Sequence, residues 1–320
     1  MSEIRLDPTT GDWIAVAPRR LSRPWQPESF CPFDPGAPET GYGWDVLVLP
    51  NRYPVVHQDA PPASSDDFYT SVSAYGRALV VVETPQHDLD DLSDLPQEHI
   101  EKVLRAVLKE MERAMGDPAV AYFLYFRNKG REIGVSLTHP HAQIYELPVV
   151  PERIARELER AGAYWRAKRR CLYCDIAARE AKSGRTLLRG SGWIAFVPYY
   201  ARWPHEVHIY PLRHVQLLTQ IGDDELVELA AVLKQTLCAI KNVVGRPMPY
   251  MMVLHQAPLR GDHAYFHLHF EIYGMYRPDG KLKYAASAET GAGFYTLDTT
   301  PEETAERLRR ALASCPRGTS

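Results

Sequence analysis

Two stretches of the chain place apolar side chains at helical spacing. Residues 96–115 carry Ile100, Val103, Leu104, Val107, Leu108 and Met111, and residues 223–243 carry Leu226, Leu229, Leu233, Leu237 and Ile240. An apolar stripe of that period predicts an amphipathic helix lying on a core. Each helix is followed by a β-rich run, Ala119 to Phe126 in one place and Tyr250 to His255 in the other. Each run leads to a His-x-His segment flanked by β-formers: Ile144 and Tyr145 after His139-Pro140-His141, and Phe270, Ile272 and Tyr273 after His267-Leu268-His269.

The same marks recur in the same order in both halves. Cys31-Pro32-Phe33-Asp34, His87 and His139 answer to Cys171-Leu172-Tyr173-Cys174, His214 and His267, and the intervals His87 to His139 and His214 to His267 differ by one residue. Chance spacing of 12 histidines is the bland alternative. The pattern predicts an α+β protein built from a tandem duplicated unit, each copy a mainly antiparallel sheet with packed helices. The joint is expected in the charged helix from Pro151 to about Arg170, dividing the chain into halves 1–165 and 166–320.

Composition narrows the setting. The 320 residues are 45% hydrophobic and 24% charged, with 40 acidic against 37 basic side chains. That balance does not favour a broad grip on nucleic acid. No apolar run approaches the ~20 residues of a membrane span, and Met1 to Asp7 lacks a signal-peptide profile. The expected setting is cytoplasmic, without nucleic-acid or membrane partners. Five cysteines, sparse and odd in number, argue against a disulfide framework. Cys238, within a helix, and Cys315, in the tail, are expected to be plain packing or surface residues.

Cys-x-x-Cys with two later histidines is a donor set that tetrahedral zinc prefers. In the second half these are Cys171, Cys174, His214 and His267; in the first, Cys31, Asp34, His87 and His139, with one carboxylate oxygen in place of a thiolate. Each full set of four would make a structural site.

Chemistry concentrates between Phe126 and Gln143. Gly130 and Gly134 allow close backbone approach, and Lys129 and Ser136 are natural phosphate contacts. In an extended strand His139, His141 and Gln143 would share a face.

His139-Pro140-His141-Ala142-Gln143 resembles the His-Pro-His-x-Gln signature of the galactose-1-phosphate uridylyltransferase family, in the histidine-triad superfamily. The likeness covers almost the whole chain. Arg20 to Trp25 resembles the family's N-terminal arginine motif and Asn128-Lys129-Gly130 its phosphate loop. His255, His267 to Phe270, Lys283 and Glu289 follow its C-terminal half in order. The resemblance implies tandem histidine-triad units, UDP-glucose and a hexose-1-phosphate as substrates, and a homodimer with the active site at the interface.

On that resemblance His141 is the nucleophile that accepts UMP, with Gln143 and Ser136 as donors to the developing charge. Gln143 cannot titrate, which fits an intermediate kept for transfer rather than hydrolysis. Arg20, Arg23, Asn51, Asn128, Lys129, Gly130 and Gly134 would serve the nucleotide and its phosphates, and Lys283 and Glu289 the hexose phosphate. Asp34 stands where the family pattern has a second cysteine, Leu49 where it often has phenylalanine, and no glutamine follows Glu289 at the sugar-phosphate position. Some members use a glutamate and three histidines as an iron or zinc site, here Glu157, His255, His267 and His269. Both second-half proposals need His267, so they are expected to compete, with the cysteine set preferred and the second half non-nucleophilic. Zinc is the expected metal, with iron as the alternative at the second site. The rival activities are an ADP-glucose or diadenosine polyphosphate phosphorylase working through adenylyl-His141, and a non-catalytic nucleotide-binding module.

Overall fold

The computed structural model describes residues 2–22 and 31–316. In chain order the strands and helices are β1 (Glu3–Leu6), β2 (Trp13–Val16), β3 (Leu47–Pro50), β4 (Ser71–Ser73), β5 (Arg77–Val82), α1 (Gln97–Met115), β6 (Tyr122–Lys129), β7 (His141–Leu147) and α2 (Glu152–Lys168). There follow α3 (Leu172–Glu180), β8 (Thr186–Arg189), β9 (Trp193–Phe196), β10 (His205–Pro211), α4 (Asp223–Asn242), β11 (Tyr250–His255), β12 (His269–Gly274), α5 (Ser287–Ala292) and α6 (Pro301–Leu312).

One antiparallel sheet of nine strands runs in the order β3-β5-β7-β6-β11-β12-β10-β9-β8. Read from its middle outwards, β6-β7-β5-β3 on one side matches β11-β12-β10-β9 on the other. In both halves the chain visits these positions in the same sequence, with a long helix before the inner strand. The α+β duplication is therefore written in the topology. A second, three-stranded sheet, β2-β1-β4, packs on the first through a small cluster that joins Ile4 and Val72 to Ala78 and Tyr145.

The period-two alternation of the strands assigns a job to each face. Phe123, Tyr125, Ala142, Ile144, Val207, Ile209, Phe270 and Ile272 point to one side, where α1 and α4 lay down their apolar stripes. Ile100, Val103, Leu104, Val107 and Met111 of α1 are all buried there, and so are Leu226, Leu229, Leu233, Leu237 and Ile240 of α4. Burying each such side chain contributes about 1.5–3 kcal/mol. The acidic first turn of α4 (Asp223, Asp224, Glu225) suits the positive end of the helix dipole, and Glu225 Oε2 accepts from the Gly222 N–H at 2.8 Å.

The other face carries the candidate site residues. A row of paired residues crosses it from end to end: Leu49, Val80, Gln143, Phe126, Val253, Glu271, His208, Phe196, Thr186. Gln143 and Glu271 lie at matching places on either side of the central Phe126–Val253 pair. No helix among the described residues is long and apolar enough to cross a membrane.

Three local expectations need correction. The first β run begins at Tyr122 rather than Ala119, because Asp117 Oδ1 accepts from the Ala119 N–H at 3.0 Å and holds that stretch in a turn. His139 precedes the strand, which starts at His141, so only His141 and Gln143 share its open face. Cys238 and Cys315 are neither idle packing nor surface residues: they form a disulfide. The contact of α6 with α4 brings the two sulfurs together across 77 residues of sequence, a distance that hides the pair from any local pattern.

The unreduced, denatured protein should thus titrate as three free thiols, Cys31, Cys171 and Cys174, and as five after reduction. Cys315→Ser should lower stability by about 2–4 kcal/mol in chemical denaturation, from the added freedom of the unfolded chain. Five thiols before reduction would remove the staple.

Candidate active site and metal-ligand clusters

His141 opens β7 on the chemically active face. Its Nδ1–H donates to the carbonyl oxygen of His139, two residues back, at 2.8 Å. That bond fixes the ring and its tautomer, placing the lone pair on Nε2. Two cavities meet at this ring. The smaller, about 150 Å³, has apolar walls from Phe33, Leu49, Val80 and Leu137, with Asn51, Ser136 and Gln143 also lining it. The larger, about 370 Å³, runs past Asn128, Lys129, Gly130 and Arg131 towards Pro249. A flat ring fits the first; the second offers charge.

Gly130 (φ +109°) and Gly134 (φ +84°) bracket the turn between β6 and β7. A Cβ on Gly130 would lie 2.5 Å from Cβ of Pro249, so both conformation and space demand glycine there. Behind the turn lies a buried charge network. Arg127 donates through Nε to both carboxylate oxygens of Glu83 at 3.0 Å, and through Nη1 to the Tyr250 hydroxyl at 2.6 Å. Burial pushes the Glu83 carboxyl up, against the pull of Arg127. Burial acts on Asp91 as well, but the charges of Lys129 and Arg127 override it and hold that carboxyl low.

The metal-ligand sets assemble as spacing suggested. Ligand atoms of Cys171, Cys174, His214 and His267 lie within 4.8 Å of one another, as do those of Cys31, Asp34, His87 and His139. His267 Nε2–H donates to the Pro211 carbonyl at 3.0 Å and His139 Nε2–H to that of Thr84 at 2.8 Å, so each ring turns Nδ1 inwards. Hydrogen bonds from Cys174, and then from His214 and His267, hold the Cys171 thiol well below the usual cysteine range against its burial. Burial lowers the pKa of His139 and so favours the neutral imidazole that a metal requires. In the Asp34 carboxyl, burial is outweighed by hydrogen bonds from His87 and His139.

The expected competition for His267 does not arise. His267 belongs to the cysteine set alone, and Glu157, His255 and His269 are completed by Glu271 instead. Backbone alternation explains this, since His269 and Glu271 share the open face while His267 lies before the strand. His269 copies the posture of His141, with Nδ1–H donating to the His267 carbonyl at 2.9 Å. Its Nε2 sits 3.8 Å from Glu157 Oε2 and 3.7 Å from Glu271 Oε1, too long for hydrogen bonds. Arg153 and Arg202 pair with Glu271 at 2.6 and 3.0 Å, and Glu206 with His208 extends the cluster.

The sequence matches the family described as galactose-1-phosphate uridyl transferase, its N-terminal domain over residues 36–151 and its C-terminal domain over residues 157–314. A galactose-1-phosphate uridylyltransferase of Thermotoga maritima is 34% identical over 97% of this chain and 98% of its own length. The chain belongs to the galactose-1-phosphate uridylyltransferase family. A solved structure described as uridylyltransferase is 59% identical, covers 98% of this chain and 99% of its own, and superposes with a TM-score of 0.92. An ADP-glucose phosphorylase of Arabidopsis thaliana, solved with bound ADP-glucose, is 25% identical over 97% and 99% of the two chains, with a TM-score of 0.76.

Within this uridylyltransferase-family fold, His141, Gln143, Ser136, Asn51, Asn128, Gly130 and Lys129 all reach the two cavities at His141. Gly134 does not line either, and shapes the turn instead. Lys129 is engaged by Asp91 at 3.0 Å and Asp90 at 3.3 Å. Arg20 donates to the Tyr53 carbonyl at 3.0 Å, beside the smaller cavity. Arg23 lies outside the described residues. Lys283 and Glu289 are buried and paired at 3.1 Å, and neither lines the cavities of its own His141. Sequence reasoning missed Glu271, although its place in His267-x-His269-x-Glu271 repeats that of Gln143. It also missed the Arg127–Glu83 pair, which no local motif marks.

Arg127→Met would leave Glu83 buried without its cation and should cost about 3–5 kcal/mol in chemical denaturation. The double variant Glu83→Gln/Arg127→Met should recover most of that loss. A single variant as stable as the parent would show the network to be unimportant.

Proposed function

We propose that the protein transfers UMP from UDP-glucose to galactose-1-phosphate through a covalent uridylyl-His141. The observation that carries this reading is the Nδ1–H bond of His141 to the His139 carbonyl, with the ring set where an apolar lobe meets a charged one. Nε2 attacks the α-phosphorus, an Nε2–P bond forms, the bond to the β-phosphate oxygen breaks, and glucose-1-phosphate leaves. The ring becomes cationic, and its Nδ1–H donates more strongly to the same carbonyl. A phosphate oxygen of galactose-1-phosphate then attacks phosphorus, the Nε2–P bond breaks and UDP-galactose forms. Ser136 and Gln143 would donate to the non-bridging oxygens, while Arg20 and Arg23 neutralise phosphate charge.

We read residues 1–165 as the half that carries the nucleophile and 166–320 as the half that carries the metal centre and the hexose-phosphate contacts. Because Lys283 and Glu289 stand away from their own His141, a homodimer is proposed in which the partner copy supplies them. Zinc suits Cys171, Cys174, His214 and His267, and Cys31, Asp34, His87 and His139 form an analogous set with one oxygen donor. The nitrogen and oxygen donors Glu157, His255, His269 and Glu271 suit iron as well as zinc. These metals would brace the strands that carry the site.

Mixing with UDP-glucose, under conditions that spare acid-labile phosphohistidine, should raise the intact mass by one UMP, and His141→Ala should show no gain. Unimpaired turnover by His141→Ala would sink the mechanism. An adduct of AMP from ADP-glucose, with none from UDP-glucose, would move the assignment to a phosphorylase. Elemental analysis should find Cys174→Ser short of one metal equivalent and lower in Tm, and Glu157→Gln/His269→Asn short of a different one. Unchanged metal counts in both would refute these assignments.

A further inference from the structure

The apolar lobe beside His141 has one carboxylate among the described residues that line it, Glu39. Glu39 rides on the loop that begins at Cys31 and Asp34. Its neighbour Thr40 is buried, and the Thr40 hydroxyl donates to the Asp34 carbonyl at 2.5 Å. The carboxylate is thus carried by a fastened turn. Arg52, which also lines the lobe, has its Nε 3.0 Å from Glu39 Oε1 and anchors that oxygen, the arginine side chain being 64% exposed and the glutamate 31%. Asn51 spends Oδ1 on the Tyr53 N–H at 2.9 Å, so it turns a donor to the lobe. Gln143 Oε1 accepts from the Tyr145 hydroxyl at 3.3 Å, leaving its amide N–H groups as the free end. Glu39 is therefore the one carboxylate acceptor among the described residues of a lobe whose other walls are mostly apolar.

A nucleotide whose α-phosphorus sits at His141 has one way to lie here. Its flat base takes the slot between Phe33, Leu49 and Val80, where apolar faces are rewarded. The ribose must bridge slot and phosphorus, so its hydroxyl edge meets the mouth of the lobe. Two adjacent hydroxyls are paired donors, and a carboxylate is the side chain that accepts from both. We propose that Glu39, positioned by Arg52, accepts from the 2′- and 3′-hydroxyls of the donor's ribose and confines the site to ribonucleotides. This rests on the reading of the donor as a nucleotide sugar, and it adds a specificity residue to that site.

The test compares UDP with 2′-deoxy-UDP in calorimetric titrations of the whole protein, and UDP-glucose with 2′-deoxy-UDP-glucose in rates of adduct formation. The unaltered protein should prefer the ribo form by about 10- to 100-fold in both, since the deoxy analogue leaves a charged acceptor short of a partner. Glu39→Ala should bring the ratio to within about threefold, and Glu39→Gln, which keeps an acceptor without the charge, should fall between. Arg52→Ala leaves Glu39 in place but unanchored, and should lower the ratio in part. A ribo-to-deoxy ratio unchanged in Glu39→Ala would overturn the proposal, as would a change confined to uracil against other bases. If neither nucleotide binds, Glu39 has nothing to read and the proposal falls. An unchanged ratio with adduct formation intact removes the role of Glu39 alone and leaves the transfer chemistry standing.

Discussion

The pairing of β6 with β11 is the constraint on which everything else in this molecule rests. Four residue pairs, from Tyr250 opposite Lys129 to Val253 opposite Phe126, weld the inner strands of two copies into one sheet. Once they are joined edge to edge, α1 and α4 must lie side by side on one face, where they contact each other and share a core. The opposite face is left with two sets of polar side chains mirrored about the weld. Neither copy exposes its inner edge, which would otherwise be open to any passing strand.

Duplication gave the chain two histidines in the same posture, and the neighbours decided what each became. His141 and His269 both start a strand and both donate Nδ1–H to the carbonyl two residues earlier. Next along the same face, the first copy has Gln143, which is neutral at any working pH. The second has Glu271, a buried carboxylate that His255, Arg153 and Arg202 surround. A neutral amide beside the histidine suits the proposed attack on phosphorus, and a ring facing two carboxylates suits the proposed cation. At this register position the two copies differ by Gln143 against Glu271, and in the second copy Glu157 and His255 join the carboxylate around His269.

Much of this was legible in the sequence, for identifiable reasons. Helical periodicity located α1 and α4 closely, because both helices bury a full stripe against the sheet. Recurrence of Cys, His and His-x-His exposed the duplication, because ligands must recur where the backbone repeats. What escaped depended on contacts between distant parts of the chain. The Cys238–Cys315 bond needs α6 laid on α4. The separation of His267 from His269 depends on where a strand begins, a boundary that no propensity sets to the residue. Glu83 and Arg127 are 44 positions apart and carry no motif. Lys283 and Glu289 show their family spacing plainly, yet that spacing does not tell that the pair is buried away from the cavities at His141.

His139 has two duties that cannot be separated. Its ring belongs to the cluster with Cys31, Asp34 and His87, and its carbonyl receives the proton of His141. The same cluster holds the loop that brings Phe33 to the apolar cavity beside His141. On the proposed reading, a cation in the cluster and a nucleotide in the lobe would be two ligations of one folded segment. By thermodynamic reciprocity, whatever factor the cation adds to nucleotide affinity, the nucleotide returns to cation affinity. If that factor favours binding, the proposed nucleotide would keep the cluster filled at metal levels below those its intrinsic affinity alone requires.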